Sequence, residues 1–220
     1  MPEPIEVFAL PLGPLQANCF VVVQGRHGLV IDPGDEADVV IEAFTEFGFA
    51  PAAVLVTHGH FDHFGGVAPI ARHFEVPVYV GAADAGQMAD GGLGAMAGFD
   101  IEPVDTAITI EGEQTLDLAV PVLAIPTPGH SRGAYTYVVG HDDGAPELFV
   151  GDLLFQNSIG RTDLPGGDMD DLLRSVATLI RRFPADAAVH CGHGPDTSLG
   201  RELALNPFLS PIRYDPEHRW

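Results

Sequence analysis

Lysine is absent from this chain. All ten basic residues are arginines, set against 31 acidic residues, and the formal net charge is −21. Such a chain is a poor partner for nucleic acid or for an anionic membrane surface, because phosphate contact needs clustered Lys and Arg. It also repels anionic substrates at long range, although salt screens that field beyond about 8 Å and a local cationic site can still capture one. The acidity is equally consistent with the composition of the host genome or with a salty cytoplasm. Cysteine is scarce: Cys19 and Cys191 are too few for a disulfide framework. Long apolar runs are missing too, and the longest fall well short of the roughly 20 residues that span a bilayer. The N-terminus, Met1 to Val7, has no basic segment ahead of an apolar one, so no signal peptide is expected. A cytoplasmic, reducing setting is the default expectation. With 46% hydrophobic residues over 220 positions, the chain is expected to fold as one domain, 1–220, with a substantial core.

What is present is concentrated in one stretch, Thr57-His58-Gly59-His60-Phe61-Asp62-His63. It follows an apolar run, Ala52 to Val56, short enough to be one buried strand, and precedes a helical pattern from Phe64 to Phe74. Ligand-type residues therefore stand where a strand ends and a helix begins, the place where α/β sheets put their sites. Neutral imidazole and ionised carboxylate are common ligands of first-row metals. His58 and His60 alternate with the same sense and can grip one ion. Asp62 and His63 fall past the turn and can face a second.

Thr57-His58-x-His60-x-Asp62-His63 resembles the signature of the metallo-β-lactamase-fold hydrolases. The resemblance implies a four-layer αββα fold, with two mixed β-sheets sandwiched between helices. Later elements match in turn. Strands are expected near Val7–Leu10, Cys19–Val23 and Leu29–Ile31, and Asp32-Pro33-Gly34 stops the third. The resemblance puts that turn at the floor of a metal site, with no direct ligand role expected for Asp32. A helix follows from Asp35 to Gly48, then a strand from Val76 to Val80. The glycine- and alanine-rich passage from Gly81 to Gly98 reads either as a short helix with a linker or as a mobile loop over the site.

Strands at Ile108–Ile110, Leu116–Leu118 and Val120–Ile125 lead into Thr127-Pro128-Gly129-His130-Ser131, where His130 supplies the third imidazole a first metal needs. A strand at Ala134–Val139 and the polar turn His141-Asp142-Asp143-Gly144 come next. Asp152 interrupts the apolar run Glu147 to Phe155. A buried carboxylate must be paired, hydrogen-bonded or on a metal, and the resemblance makes Asp152 the ligand bridging two metals. In zinc β-lactamases that use a cysteine ligand, the cysteine takes this place, so Asp argues against antibiotic hydrolysis. Gly160 to Asp168 resembles a segment of the short glyoxalase II-like branch and of its persulfide dioxygenase relatives. Arg161 in it either binds a substrate carboxylate or pairs with Asp163. Asp168 is a candidate N-cap for a helix from Met169 to Arg182. His193, between glycines after the strand near Val189, fits the last imidazole of the second site, while His190 and Cys191 read as strand residues.

The resemblance thus assigns His58, His60 and His130 to one divalent ion and Asp62, His63 and His193 to another. Zn is the leading choice, and Fe and Mn suit the same donors. Two ions about 3.5–4 Å apart share a water and lower its pKa toward about 7, giving a hydroxide that attacks a carbonyl, with Asp62 orienting it and taking up a proton. A thiolate leaves without acid help because a thiol pKa is near 8.5. A small-molecule thioester is therefore a chemically natural substrate, and the resemblance points to one such as S-lactoylglutathione. Full-length glyoxalase II enzymes continue into a basic helical region that binds glutathione. No lysine stands here to match it, which leaves the thiol carrier open. The alternatives are a persulfide dioxygenase with one iron on His58, His130 and Asp152, and a lactone hydrolase.

Overall fold

Alternation of side chains along two nearly all-apolar strands explains the layering. In a computed structural model, which describes residues 3–140 and 146–214, the first sheet runs in spatial order β1 (Ile5–Leu12), β2 (Ala17–Gln24), β3 (His27–Ile31), β4 (Ala50–Val56), β5 (Val78–Gly81), β6 (Ile108–Ile110). Its first two pairings are antiparallel and the other three parallel. Phe20 and Val22 of β2 point one way and Cys19, Val21 and Val23 the other, all buried. A strand with no polar face must be covered on both sides, as the apolar run from Cys19 to Val23 requires.

The second sheet holds β7 (Gln114–Leu116), β8 (Val122–Pro126), β9 (Tyr135–Val139), β10 (Glu147–Gly151), β13 (Ala188–Cys191) and β14 (Thr197–Ser198), in the spatial order β14-β13-β10-β9-β8-β7. Only β10 and β13 pair in parallel; the other neighbours run antiparallel. Between them in sequence, β11 (Leu154–Phe155) and β12 (Ser158–Ile159) form a small separate hairpin. Phe20, Val22, Leu29, Ile31, Leu55, Tyr137 and Phe149 fill the space between the sheets. Each such side chain stabilises the fold by roughly 1.5–3 kcal/mol on burial.

Helices cover the outer faces. On the first sheet lie α1 (Ala37–Phe47), α2 (Phe61–Phe64) and α3 (Val67–Phe74), with Val40, Phe44, Val67 and Ile70 against Val54 and Val56. On the second lie α6 (Met169–Arg182) and α7 (Leu199–Leu205), with Leu172, Val176 and Leu179 against Leu148 and Val189. The order helix, sheet, sheet, helix is the four-layer α/β arrangement expected. Asp168 caps α6 through a 2.9 Å bond accepted from the Asp171 N–H.

Several boundaries differ from the sequence reading. The helix expected from Phe64 to Phe74 is split, α2 ending at Phe64 and α3 starting at Val67, and Gly65 between them packs so near the Gly34 carbonyl that a Cβ would be 2.3 Å from its oxygen. Within the apolar run from Glu147 to Phe155, β10 stops at Gly151, whose φ of +53° turns the chain. Leu116 ends β7, so Asp117 and Leu118 lie in a turn. Gly81 to Gly98 carries the helices α4 (Ala85–Asp90) and α5 (Gly92–Ala97), nearer the helix-and-linker reading. A last short helix, α8 (Ser210–Tyr214), follows α7. The polar turn at His141-Asp142-Asp143-Gly144 lies outside the described residues. Among those described, no helix is long and apolar enough to cross a membrane.

Candidate metal centre

Five loops that leave strand ends meet at one edge of the sandwich. Asp32 follows β3, His58 to His63 follow β4, His130 follows β8, Asp152 follows β10 and His193 follows β13. Close backbone approach brings them together. Gly34 sits so near the Asp62 carbonyl that a Cβ would be 1.6 Å from its oxygen. A Cβ on Gly192 would sit 2.3 Å from Asp152 Oδ1 and 2.8 Å from His63 Cε1. At the far wall, Asn18 donates its side-chain amide to the carbonyls of Cys191 and Gly194, both at 2.8 Å, and so fixes the His193 loop to the start of β2.

Within this edge the seven sequence-expected ligands form two groups. His60 Nδ1 lies 3.1 Å from His58 Nε2 and 2.8 Å from His130 Nε2. Donors about 2.0–2.1 Å from a tetrahedral ion stand roughly 3.3 Å apart, so these three nitrogens need only a small spread to hold one. In the second group, His193 Nε2 is 3.2 Å from Asp62 Oδ2, which is 3.9 Å from His63 Nε2. Asp152 lies between them, with Oδ1 3.4 Å from His63 Nε2 and Oδ2 3.6 Å from His130 Nε2 and 3.8 Å from His193 Nε2.

Hydrogen bonding around the groups dictates which ring nitrogens carry protons. Thr57 Oγ1 donates to Asp32 Oδ2 at 2.6 Å, so its remaining capacity toward His58 Nδ1, 3.0 Å away, is as acceptor. His58 Nδ1 therefore holds the proton and Nε2 presents its lone pair. His130 Nδ1 faces the Arg161 carbonyl at 2.7 Å and His63 Nδ1 faces Asp32 Oδ2 at 2.8 Å, which assigns both the same tautomer. Three imidazoles thus aim basic nitrogens inward, each oriented by an oxygen behind it, the arrangement that metal-ligating histidines require.

Electrostatics point the same way for the first group. Burial, and then the neighbouring imidazoles, push the His58 pKa well below its ordinary value, and burial with His130 lowers His60 to about 4. Both are held neutral, the state that binds cations. Burial opposes ionisation of Asp152, yet His63, His130 and His193 outweigh it and bring the pKa to about 2. Burial likewise opposes charge on His63, but Asp152 and Asp32 overcome it and raise its pKa. His63 Nε2 and Asp152 Oδ1 are buried with no hydrogen-bond partner. Orphaned buried polar atoms are costly, and a cation between these two groups would satisfy both. The donor set therefore fits divalent metal.

Other polar residues surround the seven candidate ligands. Asp32, in a left-handed backbone conformation, accepts from the Thr57 N–H and hydroxyl and faces His63 Nδ1. Asp84 is buried and accepts from the Gly59 N–H at 2.9 Å, the Ser131 hydroxyl at 2.6 Å and the Gly133 N–H at 2.8 Å. The Arg161 guanidinium is exposed and held bidentately by Asp163, at 2.7 Å on each arm. His190 turns away from the cluster, between Glu147 at 2.7 Å and Asp196 at 2.9 Å. Burial pushes the Cys191 thiol up to about 12, so it is inert.

Comparison with known proteins gives a consistent picture. The profile of the metallo-beta-lactamase superfamily matches residues 12–193. A solved structure titled as TTHA1623 in a di-iron-bound form shares 39% identity and a TM-score of 0.83, covering 92% of this chain and 100% of that one. Another, titled as the BLEG-1 B3 metallo-beta-lactamase, shares 36% identity and a TM-score of 0.83, covering 93% of this chain and 100% of that one. Hydroxyacylglutathione hydrolase GloC of Haemophilus influenzae is 31% identical over 91% of this chain and 96% of its own length.

Proposed function

This chain belongs to the metallo-beta-lactamase superfamily and is a metallo-hydrolase, and on that premise we propose that it cleaves a thioester of the lactoylglutathione type with two divalent ions. His58, His60 and His130 hold the first ion, Asp62, His63 and His193 the second, and Asp152 lies between both. The observation that carries the reading is Asp152 itself, a carboxylate within 3.4–3.8 Å of histidines from both groups, with its buried Oδ1 otherwise unpartnered. Two ions in these positions supply an acidified water and a Lewis acid for the carbonyl oxygen.

The chain's own groups do the rest. Asp62 aims Oδ2 at His193, which leaves Oδ1 to orient the attacking water and take its proton. Burial would keep that carboxyl neutral, but His193 and His63 reverse the effect and lower its pKa, so it is a carboxylate when the water arrives. Asp32 and Thr57 hold His63 and His58 so that their Nε2 atoms cannot rotate out of line. The leaving thiolate needs no proton in the transition state, since a thiol's pKa of about 8.5 makes it a good leaving group. The likeness to the Haemophilus thioester hydrolase favours this substrate class.

A second reading is favoured by the BLEG-1 likeness. β-Lactam opening uses the same attack on a carbonyl but must protonate a departing amine, for which no separate acid is assigned here. The deciding experiment measures thiol release from S-lactoylglutathione together with metal content on the same sample. Release with close to two metals per chain, lost on His193→Ala, supports the binuclear thioesterase. No release, with cleavage of a chromogenic cephalosporin, replaces it with the lactamase. No release, with one iron per chain and oxygen uptake on glutathione persulfide, replaces it with the dioxygenase, and lactone opening alone with a lactonase.

A further inference from the structure

Arginine is scarce here and nearly always committed. Arg72 is paired with Glu102, Arg161 with Asp163, Arg174 with Asp171, Arg182 with Glu113 and Arg201 with Glu202, and Arg213 donates to two backbone carbonyls. Arg132 differs. Among the described residues no carboxylate lies within 4.0 Å of it and no acceptor takes its hydrogen bonds. An exposed arginine is ordinarily just solvated, so its place must decide what it does.

That place is the rim of a groove of about 620 Å³, lined also by Gln87, Asp90, Met96 and Gly166. None of the candidate ligands lines this groove, but it lies beside their loops. Arg132 stands two residues after His130, on a turn pinned by Asp84 through Ser131 and Gly133. On the other side, a Cβ at Gly59, between His58 and His60, would lie 3.2 Å from Gln87 Cβ. The Arg132 stem packs on Gly166, where a Cβ would be 3.4 Å from its Cγ. Met96 is 85% exposed and offers apolar surface on the same groove. Two carboxylates also line it, each already accepting hydrogen bonds. Asp84 accepts from three donors, and Asp90 accepts from the Gly92 N–H at 2.8 Å.

We infer that this groove seats the thiol carrier of the substrate and that Arg132 anchors the carrier's anionic end, a carboxylate or a phosphate. The inference rests on the thioesterase reading above. A guanidinium fork matches either group bidentately and keeps its charge at any working pH. A tripeptide carrier, about 10 Å when extended, is long enough to leave the metal cluster and run along a neighbouring groove. A chain of net charge −21 has few other places to receive an anion, and a local pair survives the screening that removes long-range repulsion. Arg132 is thus a specificity-determining residue that touches the carrier and not the scissile bond.

The test compares kcat/KM for lactoyl thioesters of glutathione, of coenzyme A and of uncharged N-acetylcysteamine. Arg132→Gln is expected to lower the ratio of an anionic to the uncharged substrate roughly 10- to 100-fold, chiefly through KM. Arg132→Lys should restore part of it, and Arg26→Gln, at the far end of β3, should leave the ratio where it was. A fall for the glutathione ester alone assigns a carboxylate, a fall for the coenzyme A ester alone assigns a phosphate, and a fall for both assigns a shared anion site. Unchanged ratios for both overturn the inference. If the wild type hydrolyses none of the three, the thioesterase reading fails and the groove is judged by calorimetry with S-methylglutathione and coenzyme A. Weaker binding of either by Arg132→Gln sustains it. Equal binding, or none in the wild type, overturns it.

Discussion

Ser131 donates its hydroxyl hydrogen to Asp84 across 2.6 Å, linking the loop of His130 to the turn that starts α4. The same carboxylate accepts the Gly59 N–H, so one side chain sets the separation of the two loops that present the first group of imidazoles. Asp84→Asn keeps the shape but turns one acceptor into a donor that faces donors. The expected cost is about 2–4 kcal/mol of stability, because buried donors lose a charged partner. Urea unfolding measures that cost. A titration of apo protein with zinc should show the first ion bound more weakly, and an unchanged first affinity would mean that Asp84 does not space the loops.

Thr57 offers a second, smaller lever. Thr57→Val removes the hydroxyl that lies between Asp32 and His58 and leaves both without that partner. Metal affinity is expected to fall roughly 10- to 100-fold, the usual effect of losing an orienting group behind a ligand. Thr57→Ser should retain most of it. Competition with a colorimetric chelator reads the difference, and equal affinity in Thr57→Val would show that packing alone holds the His58 ring.

His190 supplies a dependence on pH that is separate from the metal cluster. Burial disfavours its charge, but Asp196 and Glu147 on either side overcome this and raise its pKa to about 9, while the rings of Phe20 and Phe149 close the remaining faces. A folded pKa above the unfolded value near 6.5 means that its contribution is complete below about 6.5 and is lost as pH rises through about 9. Because Asp196 is 46% exposed, solvent screening reduces the effect to about 1–2 kcal/mol. The urea midpoint should therefore drop between pH 7 and 9.5 in the wild type and stay flatter in His190→Gln. Parallel curves would remove His190 as the cause.

Removing metal should expose how much the ligands repel one another when nothing lies between them. Chelation is expected to lower the thermal midpoint, and restoring zinc should raise it with a dependence on free metal that follows mass action. In Asp152→Asn the metal-dependent part of that rise should shrink, since the carboxylate between the two groups is gone. A midpoint indifferent to chelator would contradict a metal-binding role for the cluster.

Much of this could be read directly from residue order. The four ligand-type residues from His58 to His63 stand in one turn, and strands apolar on both faces, such as Cys19 to Val23, announce a layer on each side. His130, Asp152 and His193 were legible through the family resemblance, His130 and His193 at the ends of apolar runs and Asp152 inside one. Asn18 and Asp84 were not. They act on partners 173 and 47 residues away in the chain, through single hydrogen bonds that leave no periodicity behind. Arg132 was overlooked because its significance is the lack of a partner, and partners are visible only in three dimensions. Arg161 drew attention as a possible substrate contact, yet its guanidinium is taken by Asp163 and its carbonyl orients His130.

The first sheet is built wholly from residues 5 to 110 and the second wholly from residues 114 to 198. Each proposed ion nevertheless takes ligands from both. On the ribosome, then, a chain that has already made His58, His60, Asp62 and His63 still lacks a finished cage. The first cage closes only with His130, and the second waits for Asp152 and finally His193. On the proposed assignment metal loading would be a late event in the life of each molecule, and a synthesis interrupted before His193 would leave the first sheet complete and the second cage unfinished.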